Sequence, residues 1–456
     1  MSRPVKVAVI GGGITGLSAA YHLKKQGAEV RLFEASDRVG GPVQSVKDDG
    51  WLVEAGPNSL QESDPALTAL ITELGLDEVR LAARPEAKNR YILRKGKPTP
   101  APASPPGLLK SKLFSFGAKV RLISEILKRP RVRSADVSLA DFIKSHFGDE
   151  IVDYGLNPFI SGIYAGDPTA LSARHAFPSL WKMEQDVGSI IRGQIKAAKA
   201  RRESGGPSGP PAIISFTDGL GMLPQALARA IGDDDIGLNA RIKALVPGEK
   251  WGVVWNRDGE TQVEECDRVV LTLPARPLSE LTIGSLGERP LAELAEIPYP
   301  AVSSLFLGFR RDQVKHPLDG FGILMPQVEH RQILGILFSS SLFAGRAPNG
   351  HVALTVMMGG VHRADLGSGD LDTLLGVARR ELGEILGVTG DPLYQRLHRW
   401  PRAIPQYNVG YGRFLRTMAA CEQSHAGLFI GGHVRDGISL TNCIKSGQEL
   451  ANRVSA

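Results

Sequence analysis

The segment that most restricts this chain lies at its amino terminus. Residues 5–10 read Val-Lys-Val-Ala-Val-Ile, a run suited to a buried strand, and lead straight into Gly11-Gly12-Gly13-Ile14-Thr15-Gly16. Leu17, Ala20 and Leu23 follow at helical spacing, Gly27 closes that helix, and Glu29-Val30-Arg31-Leu32-Phe33 makes a second strand ending at Glu34. Three glycines at this spacing are weak evidence alone. Between a strand and a helix, with an acidic residue eighteen positions past Gly16, they are the fingerprint of a dinucleotide-binding βαβ unit. Gly11 allows the tight turn, Gly13 lets backbone approach a pyrophosphate at the helix amino terminus, and Gly16 lets helix and strand pack closely. Ile14 and Thr15 open the helix. Glu34 suits a ribose 2′-hydroxyl and would repel a 2′-phosphate.

Nicotinamide domains normally continue into further βα units. Here Ala35 and Arg38-Val39-Gly40-Gly41 follow Glu34, and Glu54-Ala55-Gly56-Pro57-Asn58 comes soon after, placing a second glycine pair where backbone can cross a diphosphate. This arrangement resembles the flavin-containing amine oxidase superfamily and implies a glutathione-reductase-type, FAD-binding α/β fold of Rossmann type. The carboxyl-terminal stretch Gly427-Leu428-Phe429-Ile430-Gly431-Gly432 reads as a last buried strand. Gly437-Ile438-Ser439-Leu440 and a terminal helix follow. In that superfamily this strand–loop–helix carries the ribityl chain and ring edge, so the FAD domain is expected to be discontinuous. Ile242, in a segment returning to it, is a candidate for backbone contact with the adenine, and ordinary sheet packing is as good a reading.

Further segments narrow the family. Asn157-Pro158-Phe159-Ile160-Ser161-Gly162-Ile163-Tyr164-Ala165-Gly166-Asp167-Pro168 and Trp400-Pro401-Arg402-Ala403-Ile404-Pro405-Gln406-Tyr407 together resemble the FAD-dependent protoporphyrinogen oxidases and the related coproporphyrinogen III oxidases, over nearly the whole chain. The resemblance implies a six-electron oxidation of a porphyrinogen, in haem biosynthesis, with hydride passing to the flavin N5 and O2 as acceptor to give H2O2. It adds Trp400 and Tyr407 to the cofactor site. It places Gly162, Phe321, Leu324, Leu337 and Met357 around the macrocycle. Leu337 and Met357 could equally be core. No side chain is expected to be catalytic, because the cofactor carries the chemistry. His433 abuts the flavin segment without an evident partner. An arginine that the plant and animal members place after the Pro-Thr stretch is missing after Pro98-Thr99, where Lys110 or Lys112 could substitute. The choice between protoporphyrinogen and coproporphyrinogen stays open. Another amine oxidase or desaturase, and a flavin-binding protein without turnover, are the competing readings.

Charge is unevenly placed. Fourteen basic residues between Arg84 and Arg133 face only Glu86 and Glu125, although the whole chain of 456 residues carries +6. Leu108, Leu109, Leu113, Phe114 and Phe116 are interleaved with Lys110, Lys112 and Lys119, a mixture that suits an anionic membrane surface as well as it suits a solvated face. No nucleic-acid motif accompanies the charge. With no apolar run long enough to span a bilayer and no secretory leader, the expected location is the cytoplasm, peripherally membrane-associated. Three scattered cysteines suggest neither a disulfide framework nor a metal site. The domains are expected at 1–85, 212–275 and 416–456 (FAD-binding), 86–211 (helical, membrane-facing) and 276–415 (substrate-binding, mixed sheet), with a flexible linker at 204–211. A homodimer is an open possibility.

Overall fold

The computed structural model describes residues 3–102, 105–203, 211–257, 259–284 and 287–456. Most of the expected linker, 204–210, lies outside the described residues, as do Ala103 and Ser104 of the Pro-Thr stretch.

A five-stranded parallel sheet organises the nucleotide-binding part, in the order Ile236–Gly237, Glu29–Phe33, Lys6–Ile10, Arg268–Leu271 and Leu428–Ile430. Its central strand is buried on both faces, which is why Val7, Ala8, Val9 and Ile10 read as a continuous apolar run rather than an alternating one. Helix Ile14–Lys25 covers one face and lies against the terminal helix Leu440–Ser455. That crossing is close: a Cβ on Gly447 would stand 2.5 Å from the Thr15 carbonyl oxygen. An antiparallel sheet of Arg241–Val246, Trp251–Arg257 and Glu260–Cys266, joined by Thr282–Ile283, leans on the same unit.

A seven-stranded mixed sheet forms the second layer, in the order Tyr394–Trp400, Val302–Arg310, His351–Gly359, Gly335–Leu337, Gly320–Leu324, Asn89–Arg94 and Lys97–Pro100. Leu305, Leu307, Phe309, Leu354, Val356 and Ile336 on one face pack with Leu374, Ala378, Leu382 and Ile385 of helix Leu371–Leu386. The sheet departs from the expected boundary at 86. Residues 89–100 pair with each other and, in parallel, with Gly320–Leu324 instead of joining the helices. That pairing spans more than two hundred residues, and the charges of Arg90 and Arg94 mask the buried Tyr91, Ile92 and Leu93.

Helices Phe116–Ser124, Leu139–Phe147, Asn157–Tyr164, Pro178–Val187 and Ile190–Glu203 make the remaining part. Their centre is polar. Glu125 is fully buried and accepts from His146 Nδ1 (2.7 Å), the Ser189 hydroxyl and the Ile190 amide. His146 Nε2 faces Glu184 at 3.1 Å, and Glu184 takes two hydrogen bonds from Arg133 at 2.7 and 2.8 Å. Val120, Ile123, Ile126 and Leu127, at helical spacing in the sequence, lie on helical turns with exposed side chains. Among the described residues, no helix is long and apolar enough to cross a membrane.

Candidate functional site

In an open parallel sheet, ligands bind beyond the carboxyl ends of the strands, where the chain crosses from strand to helix. Here those ends carry Gly11, Glu34, Thr272 and Gly431. The Gly11 amide donates to the Phe33 carbonyl (2.8 Å), and its φ of +107° is open to glycine but not to a side-chain-bearing residue. Gly13 caps helix Ile14–Lys25 in extended geometry, and the first helical turn holds no acidic side chain to compete with an anion. The second glycine loop closes on the first, with the Gly40 amide donating to Gly12 (2.8 Å) and Gly13 and Gly40 forming a bridge. Gly41 lies against Gly13, and Arg38 caps the loop by donating to the Val39 carbonyl. Gly56 abuts Pro42 of that loop and accepts from the Asn58 amide at 3.0 Å, with Pro57 half-buried between them.

Glu34 is held by both oxygens. One accepts from the Gly12 amide (2.7 Å) and the other from the Ser36 amide and hydroxyl (2.8 Å each). Exposed Ala35 follows. The strand holding Ile242 is tied to this corner because Ala240 donates to the Glu34 carbonyl (2.8 Å) and Asn239 to Ser36. On the other side, Gly432 has a φ of +95° and passes beside Thr15, while Ser439 caps the terminal helix by accepting from Asn442. Ile438 packs on the core between sheet and helical part, and Leu440 on the core under the glycine turn. Trp400 donates to the Ala55 carbonyl (2.8 Å). Tyr407 is buried, donates to the His433 carbonyl and accepts from Gly437, so it braces the carboxyl-terminal loop with its hydroxyl. The two glycine loops, Glu34 and the carboxyl-terminal loop thus lie near one another at the carboxyl ends of the parallel strands.

Three features lay beyond sequence reasoning. Thr272 donates to the Ile10 and Gly11 carbonyls at 3.0 and 3.1 Å and so holds the glycine turn from the neighbouring strand. His433 does have a partner, the Tyr299 hydroxyl at 3.2 Å, and burial pushes its imidazole down to about 4. Arg90, on the strand before the Pro-Thr stretch, places its guanidinium 5.6 Å from the centre of the Phe321 ring. Lys110 and Lys112 are exposed. Neither the Tyr299–His433 contact nor that of Arg90 with Phe321 leaves a local pattern, since each joins distant segments.

The macrocycle residues fall on one sheet face. Cross-strand pairing aligns Leu324 with Gly335 and Gly335 with Met357, and in the next row Gly322 with Leu337 and Leu337 with Thr355. This is the face opposite helix Leu371–Leu386, and at its other end Trp51 of the hairpin following the second glycine loop packs on Phe306 and Gly308. Gly162 meets it from the helical part: a Cβ there would stand 2.6 Å from Leu324 Cδ2. Leu324, Leu337 and Met357 are only half-buried, unlike their neighbours on the covered face.

The cleft also passes a test of fit. A Cβ on Gly13 would meet no atom within 4 Å, whereas one on Gly16 would lie 1.9 Å from the Gly11 carbonyl oxygen. The first glycine borders space, and the second is demanded by packing. Trp255, paired with Ile242, carries a buried indole N–H without a partner among the described residues. A bare helix terminus between two glycine loops, an acidic residue at the ribose end and an orphan donor beside the adenine candidate fit FAD.

Sheet, glycine loops and carboxyl-terminal closure define a dinucleotide-binding flavoprotein. The chain belongs to the flavin containing amine oxidoreductase family, which matches residues 14–455. It is an FAD-dependent oxidoreductase of mixed α/β fold. It is 34% identical to the mitochondrial protoporphyrinogen oxidase of Nicotiana tabacum, covering 99% of this chain and 95% of that protein. Coproporphyrinogen III oxidase of Staphylococcus aureus is 28% identical, covering 99% of each chain. A crystal structure from Exiguobacterium sp. 255-15 shares the fold with a TM-score of 0.81 at 24% identity, over 100% of this chain and 99% of that one.

Proposed function

We propose that this enzyme oxidises a porphyrinogen to the corresponding porphyrin, with O2 as the final acceptor. The observation that carries the reading is the half-buried apolar face formed by Leu324, Leu337 and Met357, bounded by Gly162 and turned toward the nucleotide-binding part. An apolar macrocycle that becomes flat on oxidation suits a half-buried apolar sheet face. Full-length similarity to enzymes named for porphyrinogens supports the same substrate class.

Bound FAD supplies a two-electron acceptor that takes hydride and is restored by O2. The chain's own contribution is to hold and to orient. Gly11 and Gly40 shape the two loops, Gly13 beside Gly41 brings the bare helix terminus to the diphosphate, and Glu34 receives the ribose. Tyr407, Gly432 and Ser439 fix the carboxyl-terminal loop beside the reacting end. Phe321 and Leu324 wall the slot, and Arg90 offers a planar cation to an acidic arm of the substrate. Turnover of protoporphyrinogen IX and coproporphyrinogen III side by side, read by porphyrin fluorescence, decides between them. Oxidation of amines with neither porphyrinogen touched would overturn the reading.

Peripheral attachment to an anionic membrane is part of the proposal. Phe116 and Leu127 are 82% and 79% exposed, and Val120 and Ile123 on the same helical turns are also solvent-facing, close in sequence to Lys110, Lys112, Lys128 and Arg129. Exposed apolar side chains flanked by cations are what an anionic bilayer surface binds.

A further inference from the structure

One cross-strand row of the substrate sheet runs through Leu324, Gly335, Met357 and Ser304 and ends at His398 on the edge strand Tyr394–Trp400. Paired residues of neighbouring strands share a face. His398 therefore stands on the face that carries the macrocycle residues, two strands, or about 10 Å, from Met357. Two residues on, Trp400 reaches the Ala55 carbonyl beside Gly56, so this end of the row borders the cofactor cleft. The Nδ1 atom of His398 is buried and has no hydrogen-bond partner among the described residues. A buried ring nitrogen of this kind costs free energy unless something completes it.

We propose that His398 is a catalytic residue, its Nδ1 accepting the proton released from the macrocycle as each hydride departs. The proposal rests on the porphyrinogen reading above. In each step a bridging C–H bond breaks and its electron pair leaves with the hydrogen as hydride to the flavin. In two of the steps an N–H bond breaks with its pair staying in the ring as a new double bond, and the proton passes to Nδ1 and then to solvent. Three steps remove six electrons and three protons, the third proton coming from a bridging carbon as the ring tautomerises.

The surroundings suit a proton acceptor. Burial, and secondarily Arg396, lower the imidazole's pKa and keep it neutral. Of the charged groups on the flanking elements, Asp48 is engaged by Tyr394 and Arg396, and Glu54 by Ser45, Leu220 and Arg346. Neither carboxylate is free to hold His398 protonated.

The test compares wild-type holoenzyme with His398→Gln and His398→Ala, following flavin bleaching by anaerobic porphyrinogen from pH 5 to 8. Positioned acid–base groups contribute roughly 10²–10⁴-fold, so bleaching is expected to slow about 100-fold in both variants with KM and FAD content unchanged, and imidazole should restore His398→Ala in part. The wild-type rate should hold through the ordinary imidazole value near 6.5 and fall only at lower pH, as the ring takes its proton from water instead. Bleaching in His398→Gln at the wild-type rate, or a flat wild-type profile, would overturn the proposal. A variant that loses FAD leaves the decision to the wild-type profile. Failure of wild type to form porphyrin from either porphyrinogen sinks the parent reading instead.

Discussion

Replacing Gly13 with Ala separates folding from cofactor binding. Gly13 has φ −69° and ψ 174°, a conformation any residue adopts, and the added Cβ meets no protein atom within 4 Å. The apoprotein should fold with an unchanged melting temperature. The new methyl enters the space between the two glycine loops, where the diphosphate needs backbone contact. Losing two charge-assisted hydrogen bonds, at about 1.5–3 kcal/mol each, amounts to about 3–6 kcal/mol. That corresponds to roughly 10²- to 10⁴-fold weaker FAD binding. Gly16→Ala is the contrast, because its Cβ would overlap the Gly11 carbonyl at 1.9 Å and the βαβ unit itself should fail. Both variants would be purified, scored for flavin absorbance, and titrated with FAD by fluorescence quenching while circular dichroism follows the fold. If Gly13→Ala binds FAD like wild type, or if Gly16→Ala remains folded and yellow, the cradle has been misplaced.

Phe321→Ala and Arg90→Ala should each raise KM for porphyrinogen, about tenfold or more for the arginine if a charged pair is lost, with FAD content intact; unchanged steady-state constants would remove both from the slot. Burial alone would raise the Glu125 carboxyl, but His146, the Ser189 hydroxyl and the Ile190 and Ile191 amides hold it below the usual range. A depressed carboxyl stabilises the fold above its unfolded value near 4.3 and loses that contribution as pH falls through the folded one. Glu125→Gln should therefore be less stable at pH 7, by about 3 kcal/mol, with a flatter melting-temperature profile below pH 5; parallel profiles would contradict this. Charge reversal at Lys110 and Lys112 combined with Phe116→Ser should weaken co-sedimentation with anionic liposomes, and undiminished pelleting would dismiss the membrane surface.

What could be read from the residues beforehand was local. The glycine turn, Glu34 and the strand ending at Ile430 are each written within a dozen positions, and the structure assembles them at the carboxyl ends of one parallel sheet. Apolar alternation marks strands over Ala301–Arg310 and Val352–Met358, but not which face would stay open, since Met357 and Met358 look alike until helix Leu371–Leu386 covers only the latter. Non-local pairing hid the rest. Arg90 joins Phe321 only because Asn89–Arg94 inserts beside Gly320–Leu324, and the Glu125–His146–Glu184–Arg133 centre needs several helices in place. Such groups read as ordinary solvated charges until the chain closes around them.

The crossing of helix Leu440–Ser455 over helix Ile14–Lys25 has a consequence for biosynthesis. Backbone meets backbone there through Gly447, so the first βαβ unit lacks this neighbour until residues 440–455 have been made and docked. A growing polypeptide can shape its opening strands early yet cannot grip the flavin tightly. A version truncated ahead of residue 440 would be expected to emerge colourless and protease-sensitive.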